Sequence, residues 1–209
     1  MNISNVGPFH VPSSDYTEGW KIAKENKHII DAVDEHYYEQ PGWFVNHQEY
    51  YDNYDRKAPK VYLGEYAAHG KDALDNALAE GICLCNVERN GDIVEMTSYA
   101  PLLCKDGYSN WKPDMIYFDN SHARESESYK MQRMFGQHAG DTYIASRLDL
   151  PAELKKYVGW SVVKNSKTGK TWLKVVNALP GKLNLQVKGF GNRMFSVGGR
   201  SAEVFELYD

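Results

Sequence analysis

The chain has 209 residues, of which 42% are hydrophobic and 25% are charged, a composition typical of a globular protein with room for one core and a second small domain. The formal net charge is −4 without any basic cluster, which argues against nucleic acid as a partner. No apolar run of about 18 residues that could span a membrane is present, and the N-terminal sequence lacks the basic start and apolar core of a signal peptide.

Predicted strands and helices alternate along the first 140 residues. The strands are predicted at 3–9, 29–38, 60–67 and 92–103, the helices at 13–27, 41–55, 71–91 and 127–140, and a loop at 104–114. In the clearest helix, apolar residues recur at helical spacing, at Leu74, Ala77, Leu78 and Ile82. A strand followed by a helix, four times in succession, predicts parallel βαβ units and an α/β fold.

Residues that favour helix ends stand near the predicted boundaries. Ser13 or Ser14 can cap the first helix. Pro41 stands near the start of the second helix, where its missing N–H leaves no bond unmade. Gly91 stands where a glycine would end the third helix in a left-handed conformation. We therefore expect each of these helices to begin or end at these residues.

The pattern changes near residue 141. Alternating strands surround a Lys-Thr-Gly turn in "GWSVVKNSKTGKTWLKVVNAL", and "KLNLQVKGFG" and "AEVFELYD" alternate in the same way. No helix-length pattern follows "PAELKKY", and strict alternation is typical of antiparallel strands with one buried face. The sequence therefore predicts two domains, an α/β domain over 1–140 and an antiparallel sheet domain over 141–209.

The number of predicted βα units leaves two architectures open. A closed (β/α)8 barrel needs eight units and about 250 residues, whereas four units alone would leave apolar edges of a parallel sheet exposed. The first 140 residues are therefore either a complete small α/β sheet or the back half of a barrel whose front half lies elsewhere.

Two predicted strands end in polar residues. In "KVYLGEYAAHG" an apolar run reaches Gly64 and Glu65, and in "DAVDEHYYEQPGW" a similar run reaches Asp34, His36 and Tyr38. The carboxyl ends of parallel strands meet at one edge of a sheet, which is where barrel enzymes place their chemistry. Taken alone, Glu65 would more often be a surface or ion-paired carboxylate and His36 a hydrogen-bonded packing residue, and packing is the alternative for Tyr38.

The stretches "VDEHYYEQPGWF", "YYDNYDRKAPKVYLGEYA", "VEMTSYAPLL" and "NWKPDMIYFDNS" resemble the α-L-arabinofuranosidases of glycoside hydrolase family 51. The resemblance covers about residues 30–145, and the last sixty or so residues fit that family's C-terminal β-sandwich more loosely. It implies the C-terminal half of a (β/α)8 TIM barrel over 1–140 and an antiparallel β-sandwich over 141–209. It also implies an exo-acting, retaining glycosidase that releases terminal arabinofuranose from arabinan or arabinoxylan.

The resemblance assigns roles to four residues. Glu65 matches the family's nucleophile at the end of the seventh barrel strand, and His36 and Tyr38 match a His-x-Tyr motif at the end of the sixth strand that reaches the sugar and the nucleophile. Trp111 matches a tryptophan near the sugar pocket. The resemblance implies no cofactor and no metal. It implies an arabinose-containing glycan as partner, possible homo-oligomers, and an extracellular or periplasmic place for the full-length protein.

One departure from the family pattern concerns the general acid/base, a Glu that follows an Asn at the end of the fourth barrel strand. Glu25 and Asn26 have the reverse order and lie in a predicted helix. The chain is therefore expected to lack the acid/base half of the enzyme. The alternative is a non-catalytic fragment that supports the fold or binds glycan weakly.

Five further residues are expected to have structural roles. We expect Glu95 to form an ion pair inside the barrel, and Asp34 and Glu35 to support the fold or the rim of a pocket. Trp20 and Trp43 lie on predicted helices and are expected to pack.

The three cysteines, Cys83, Cys85 and Cys104, do not form a metal-binding pattern. Two of them are separated by one residue in a predicted helix, where positions two apart face different directions. We expect all three to be buried, unreactive thiols. Their odd number leaves the redox compartment open.

Overall fold

A computed structural model of the chain describes residues 1–4 and 13–208. The elements of the first part are β1 (Ile3–Ser4), α1 (Ser14–Glu25), β2 (Ala32–Glu39), α2 (Pro41–Asn46), β3 (Lys60–Ala68), α3 (Ala73–Arg89), β4 (Val94–Tyr99), β5 (Leu103–Lys105), β6 (Ile116–Phe118), β7 (Ala123–Glu125) and α4 (Glu127–Gln137). Most of the strand predicted at 3–9 falls outside the described residues.

Strands β1 to β4 form one parallel sheet in chain order. This confirms the parallel pairing that the repeated strand and helix predicted. Helices α1 to α4 cover one face of the sheet, because residues from all four join a single core with alternate residues of β2 and β3 such as Val33, Val61 and Leu63. The opposite face carries polar side chains and is called the site face below.

Side-chain caps fix the starts of three helices. Ser13 Oγ accepts a hydrogen bond from the backbone N–H of Tyr16 at 3.2 Å, and Ser126 does the same for α4. Asp72 caps α3 through two backbone N–H groups. Each such cap is worth about 0.5–2 kcal/mol. Pro41 is the first residue of α2, as predicted.

Two predicted helix ends are wrong. Helix α2 ends at Asn46 instead of residue 55. In the turns that follow it, Arg56 donates to the carbonyl oxygens of Tyr51 and Tyr54. Helix α3 ends at Arg89, and its C-cap Asn90 has a negative φ and donates its backbone N–H to the carbonyl oxygens of Asn86 and Val87. Gly91 does not adopt a positive φ.

The segment predicted as a loop at 104–114 is a loop from residue 106 onward, as predicted, and its first two residues belong to β5, one strand of a small three-stranded sheet that was not predicted. Strands β5 and β6 pair in parallel and β6 and β7 pair antiparallel. Each strand has three residues, which is too short for alternation to reveal. This sheet lies between β4 and α4 in the chain.

The C-terminal part is antiparallel, as the alternation predicted. Its elements are β8 (Thr142–Tyr143), α5 (Ala152–Lys155), β9 (Val158–Lys164), β10 (Thr171–Asn177), β11 (Leu183–Val187), β12 (Arg193–Val197) and β13 (Ser201–Leu207). One sheet has the order β13-β10-β9-β8, and β11 and β12 form a hairpin. Gly169 in the predicted turn has a φ of +74°. This part has its own apolar core.

Helix α3 lies between the parallel sheet and the antiparallel sheet. A Cβ added at Gly159 of β9 would lie 2.9 Å from the Cα of Ile82, so only glycine permits this close approach. The fully buried Lys174 pairs with Glu88 of α3, and Ser161 donates to the same carboxylate. The two parts of the chain therefore share a packed and charge-paired contact through α3.

The predicted burial of all three cysteines is confirmed, since Cys83, Cys85 and Cys104 are buried free thiols. Burial raises the pKa of Cys83 to about 12. Trp20 is buried in the core, and Trp43 stacks on the ring of His47. Both tryptophans pack, as predicted.

The ion pair expected for Glu95 is wrong. Glu95 is exposed, and in the described part of the chain no ion pair to it is formed. The register between β3 and β4 shifts between Val61 and Tyr62, where Val61 pairs with Val94 and Tyr62 pairs with Met96. This irregularity leaves Glu95 without a partner on β3 and directs it to solvent.

Candidate active site

The site lies at the carboxyl end of β2 and β3, on the face opposite the helices. Asp34, His36 and Tyr38 alternate with core residues along β2, because successive side chains of a strand point to opposite faces. His36 pairs directly with Glu65 of β3. The carboxyl ends of two adjacent strands therefore bring the predicted residues together.

Glu65 makes two contacts through one carboxylate oxygen. The hydroxyl of Tyr38 donates to Glu65 Oε2 at 2.7 Å, and His36 Nδ1 lies 3.5 Å from the same oxygen. Burial and then the hydrogen bond to Glu65 raise the pKa of Tyr38, so its hydroxyl remains a donor. The side chain of Glu65 is 43% exposed, and a ligand can therefore reach it.

A β-bulge decides the direction of Glu65. Glu35 pairs with Leu63 and His36 pairs with Glu65, so Gly64 has no partner on β2. Leu63 lies in the core under the helices, and plain alternation would send Glu65 to that same side. The extra residue moves Glu65 to the site face instead, as bulges near active sites do.

Trp111 forms a wall beside Tyr38. The ring centroids are 5.3 Å apart and the planes meet at 75°, an edge-on contact. Trp111 comes from the segment between β5 and β6 and is 39% exposed. The hydroxyl of Ser109 accepts a hydrogen bond from the backbone N–H of Trp111 and donates one to the carbonyl oxygen of Trp111. All four residues that the sequence singled out are therefore neighbours.

Two residues that the sequence analysis missed fix the strand ends behind the site. His69 Nε2 donates to the carbonyl oxygen of Tyr38 at 2.8 Å, and the amide of Gln40 donates to His69 Nδ1 at 2.9 Å. These two hydrogen bonds link the carboxyl end of β2 to the carboxyl end of β3. A polar pair just after two neighbouring strands was the only sequence signal for them.

A third supporting group is the buried Glu80 of α3. Its Oε1 accepts the backbone N–H of Ala68, the last residue of β3, at 2.9 Å. Burial raises the pKa of Glu80 to about 8. Glu80 therefore anchors the strand that carries Glu65 from the helix side.

Glu35 lies on the opposite face from the site. It is fully buried and accepts hydrogen bonds from Trp20 Nε1 at 2.7 Å, from Tyr54 at 2.9 Å and from Tyr37. Burial raises the pKa of Glu35 to about 7. Of the two carboxylates expected to support the fold or a pocket rim, Glu35 supports the fold and Asp34 adjoins the site.

Within residues 1–4 and 13–208, no three His, Cys, Asp or Glu side chains are grouped so that they could hold a metal ion. In the same residues, no helix is both long and apolar enough to cross a membrane.

Comparison with known proteins identifies the family. Residues 39–197 match the family described as the α-L-arabinofuranosidase C-terminal domain. The chain belongs to this family. The match confirms the resemblance to glycoside hydrolase family 51 that the motifs indicated.

Relatives of this arabinofuranosidase family domain come from bacteria, plants and fungi. An extracellular exo-α-L-arabinofuranosidase of Streptomyces chartreusis is 40% identical over 145 residues, which is 69% of this chain and 17% of that protein. α-L-Arabinofuranosidase 1 of Arabidopsis thaliana is 36% identical over 185 residues, 85% of this chain and 27% of that protein. The chain thus spans about a quarter or less of the length of these relatives.

Solved structures of the same family share its fold. An arabinose-bound family 51 α-L-arabinofuranosidase matches 86% of this chain and 36% of that chain with a TM-score of 0.70 and 25% identity. A family 51 α-L-arabinofuranosidase of Bifidobacterium longum matches 97% of this chain and 58% of that chain, with a TM-score of 0.67 and 12% identity. The second likeness concerns the fold alone.

Proposed function

We propose that this chain carries the nucleophile half of an exo-acting, retaining α-L-arabinofuranosidase that releases terminal arabinofuranose from arabinan or arabinoxylan. Residues 1–140 would supply the last four βα units of a (β/α)8 barrel, and 141–209 a β-sandwich. The observation that carries this proposal is the carboxylate of Glu65, which is accessible, faces away from the core and is held by Tyr38 and His36 at the carboxyl edge of a parallel sheet.

In this mechanism Glu65 attacks the anomeric carbon of the sugar and forms a covalent glycosyl-enzyme, which water then hydrolyses. Tyr38 stabilises the ionised carboxylate by donating to Oε2. In the described residues no hydrogen bond is made to Oε1, so this oxygen is available for the attack. Trp111 supports one side of the bound sugar.

The reaction also needs a second carboxylate, about 5–5.5 Å from the first, to protonate the leaving oxygen and later activate water. Glu35 is buried on the other face of β2 and cannot take this part. Since the chain spans 17% and 27% of two relatives, we place the acid/base in a part of the longer protein outside these residues.

The partner that fits this proposal is an arabinose-containing glycan. The Streptomyces relative is described as extracellular and exo-acting, which supports an extracellular or periplasmic place for the longer protein. No nucleic acid, membrane, metal or cofactor takes part in the proposed reaction. Self-association into homo-oligomers remains a prediction from the family resemblance.

The test compares the 209-residue chain with a version extended upstream, through its own gene or by fusion to the corresponding part of the Streptomyces relative. We expect the short chain to show no useful turnover of an aryl arabinofuranoside and the extended protein to be active. Glu65→Gln in the extended protein should lower kcat by about 10⁴-fold or more. The matched control is Glu95→Gln, which removes an exposed carboxylate away from the site.

Anomer analysis by NMR checks the stereochemistry, and retention is expected. Hydrolysis by the short chain that is lost on Glu65→Gln would mean that the acid/base lies within these residues. An extended protein that binds arabinose-containing glycan but has no turnover would support the non-catalytic alternative.

A further inference from the structure

Asp34 lies on the site face of β2, two residues before His36. Asp34 Oδ2 is 3.0 Å from His36 Nε2, and both side chains are 21% exposed. A carboxylate only accepts, so this contact requires a proton on Nε2. Asp34 therefore selects which ring nitrogen carries a proton and which edge of the ring turns toward Glu65.

The imidazole of His36 lies between two carboxylates. Its Nε2 contacts Asp34 and its Nδ1 lies 3.5 Å from Glu65 Oε2. The ring is rigid, so a short contact at one nitrogen sets the position of the other. A carboxylate that orients a working histidine in this way is a recurring device in enzymes.

A second observation links Asp34 to the bulge. A Cβ added at Gly64 would overlap Asp34 Oδ1 and lie 2.9 Å from Asp34 Cγ. The carboxyl group thus occupies the space beside the bulged residue that any side chain at this position would need. Gly64 is the residue that moves Glu65 to the site face, so Asp34, the bulge and Glu65 form one packed unit.

We propose that Asp34 is a positioning residue, which holds the imidazole of His36 against Glu65 and fills the space that the glycine bulge leaves open. Its effect on catalysis rests on the function proposed above. Its effect on the His36 ring and on the bulge does not, and each of these can be measured without substrate.

The first experiment records the ¹⁵N and ¹H signals of the histidine rings in the 209-residue chain and in Asp34→Asn. We expect the wild-type His36 signals to report a proton on Nε2 and to shift in the variant, because the amide can present a donor to that nitrogen. His69, whose Nε2 is held by a backbone carbonyl, is the internal control. Unchanged His36 signals would overturn the proposal.

The second experiment is a double-mutant cycle on the stability of the same chain. Gly64→Ala should destabilise the wild-type protein strongly and should cost much less in the Asp34→Ala background, where the overlapping carboxyl group is gone. Such non-additivity is the mark of residues in direct contact. Equal costs of Gly64→Ala in both backgrounds would contradict the packed unit.

The third experiment uses the extended protein. Asp34→Asn should lower kcat by about 10- to 100-fold with little change in KM, whereas Glu95→Gln should change neither. An Asp34→Asn protein with wild-type kcat would refute the catalytic consequence. If the wild-type extended protein has no activity, the proposed function fails, and the ring signals and the stability cycle still decide the role of Asp34.

Discussion

Each face of the parallel sheet carries a glutamate that accepts a hydrogen bond from a tyrosine, and one of these glutamates is buried whereas the other is accessible. On the helix side Glu35 accepts hydrogen bonds from Tyr37, Tyr54 and Trp20 and has no exposed surface. On the site face Glu65 of β3 accepts a hydrogen bond from the hydroxyl of Tyr38, and its side chain is 43% exposed. Each face thus holds a carboxylate bonded to tyrosine.

The difference between the two carboxylates is access. Burial raises the pKa of Glu35 to about 7 and closes it to any ligand, so it acts as the centre of an aromatic core. Glu65 keeps one oxygen bonded while solvent reaches the side chain. A carboxylate with a tyrosine partner is therefore a candidate nucleophile only on the face of the sheet that the helices do not cover.

The largest expected effect contrasts neighbouring residues on the two faces of β3. Leu63→Ala opens a cavity under the helices and should lower the free energy of unfolding by about 2–5 kcal/mol. Tyr62→Phe removes only the hydrogen bond between Tyr62 and Ser98 and should cost about 0.5–1.5 kcal/mol. Urea unfolding with unchanged m-values measures both. Equal losses of unfolding free energy in the two variants would contradict a buried helix side and an open site face of β3.

An intermediate effect concerns pH. The folded-state pKa of Glu35, about 7, lies above its ordinary value of 4.5. The folded chain therefore binds more protons between these values, and the stability linked to Glu35 is present below pH 4.5 and is lost as the pH rises through about 7. Glu35→Gln should flatten this part of the pH dependence of Tm.

Glu80 supplies the control for this pH dependence. Burial raises its pKa to about 8, so Glu80→Gln should flatten the profile up to that higher pH and leave the contribution of Glu35 in place. A Tm profile that keeps the wild-type slope between pH 4.5 and 7 in Glu35→Gln would show that this carboxylate is not the titrating group.

The smallest expected effect is an absence of reaction. Cys83 and Cys85 are buried residues of α3, and burial raises the pKa of both thiols, so a thiol reagent at pH 8 should leave them unmodified until urea unfolds the chain. Met96→Cys places a thiol at an exposed position of β4 and should react at once. Rapid labelling of Cys83 or Cys85 in the wild-type chain, located by mass spectrometry of peptides, would indicate that the packing around α3 opens.

Much of the fold follows from local patterns in the sequence. Helical spacing and the serine and proline signals predicted α1, the start of α2 and α3, and alternation predicted the antiparallel C-terminal strands, because caps and side-chain periodicity are properties of neighbouring residues. The family motifs predicted that His36, Tyr38, Glu65 and Trp111 lie together, and the contacts between them agree.

Other features depend on residues far apart in the chain. The turns after α2 are held by Arg56, which donates to the carbonyl oxygens of Tyr51 and Tyr54, and the burial of α3 needs a second sheet packed on it. The register of β4 leaves Glu95 in solvent instead of in an ion pair. No local pattern carries these contacts, since each requires a partner from another element.

The sequence by itself determined which residue types end the two strands, and only the tertiary structure decided which way they point. Alternation from Leu63 would have buried Glu65. Gly64 bulges because β2 runs alongside with Asp34 packed against it, thirty residues earlier in the chain. A strand's register is set by the pairing of two segments, and a shift of one residue moves every later side chain to the other face.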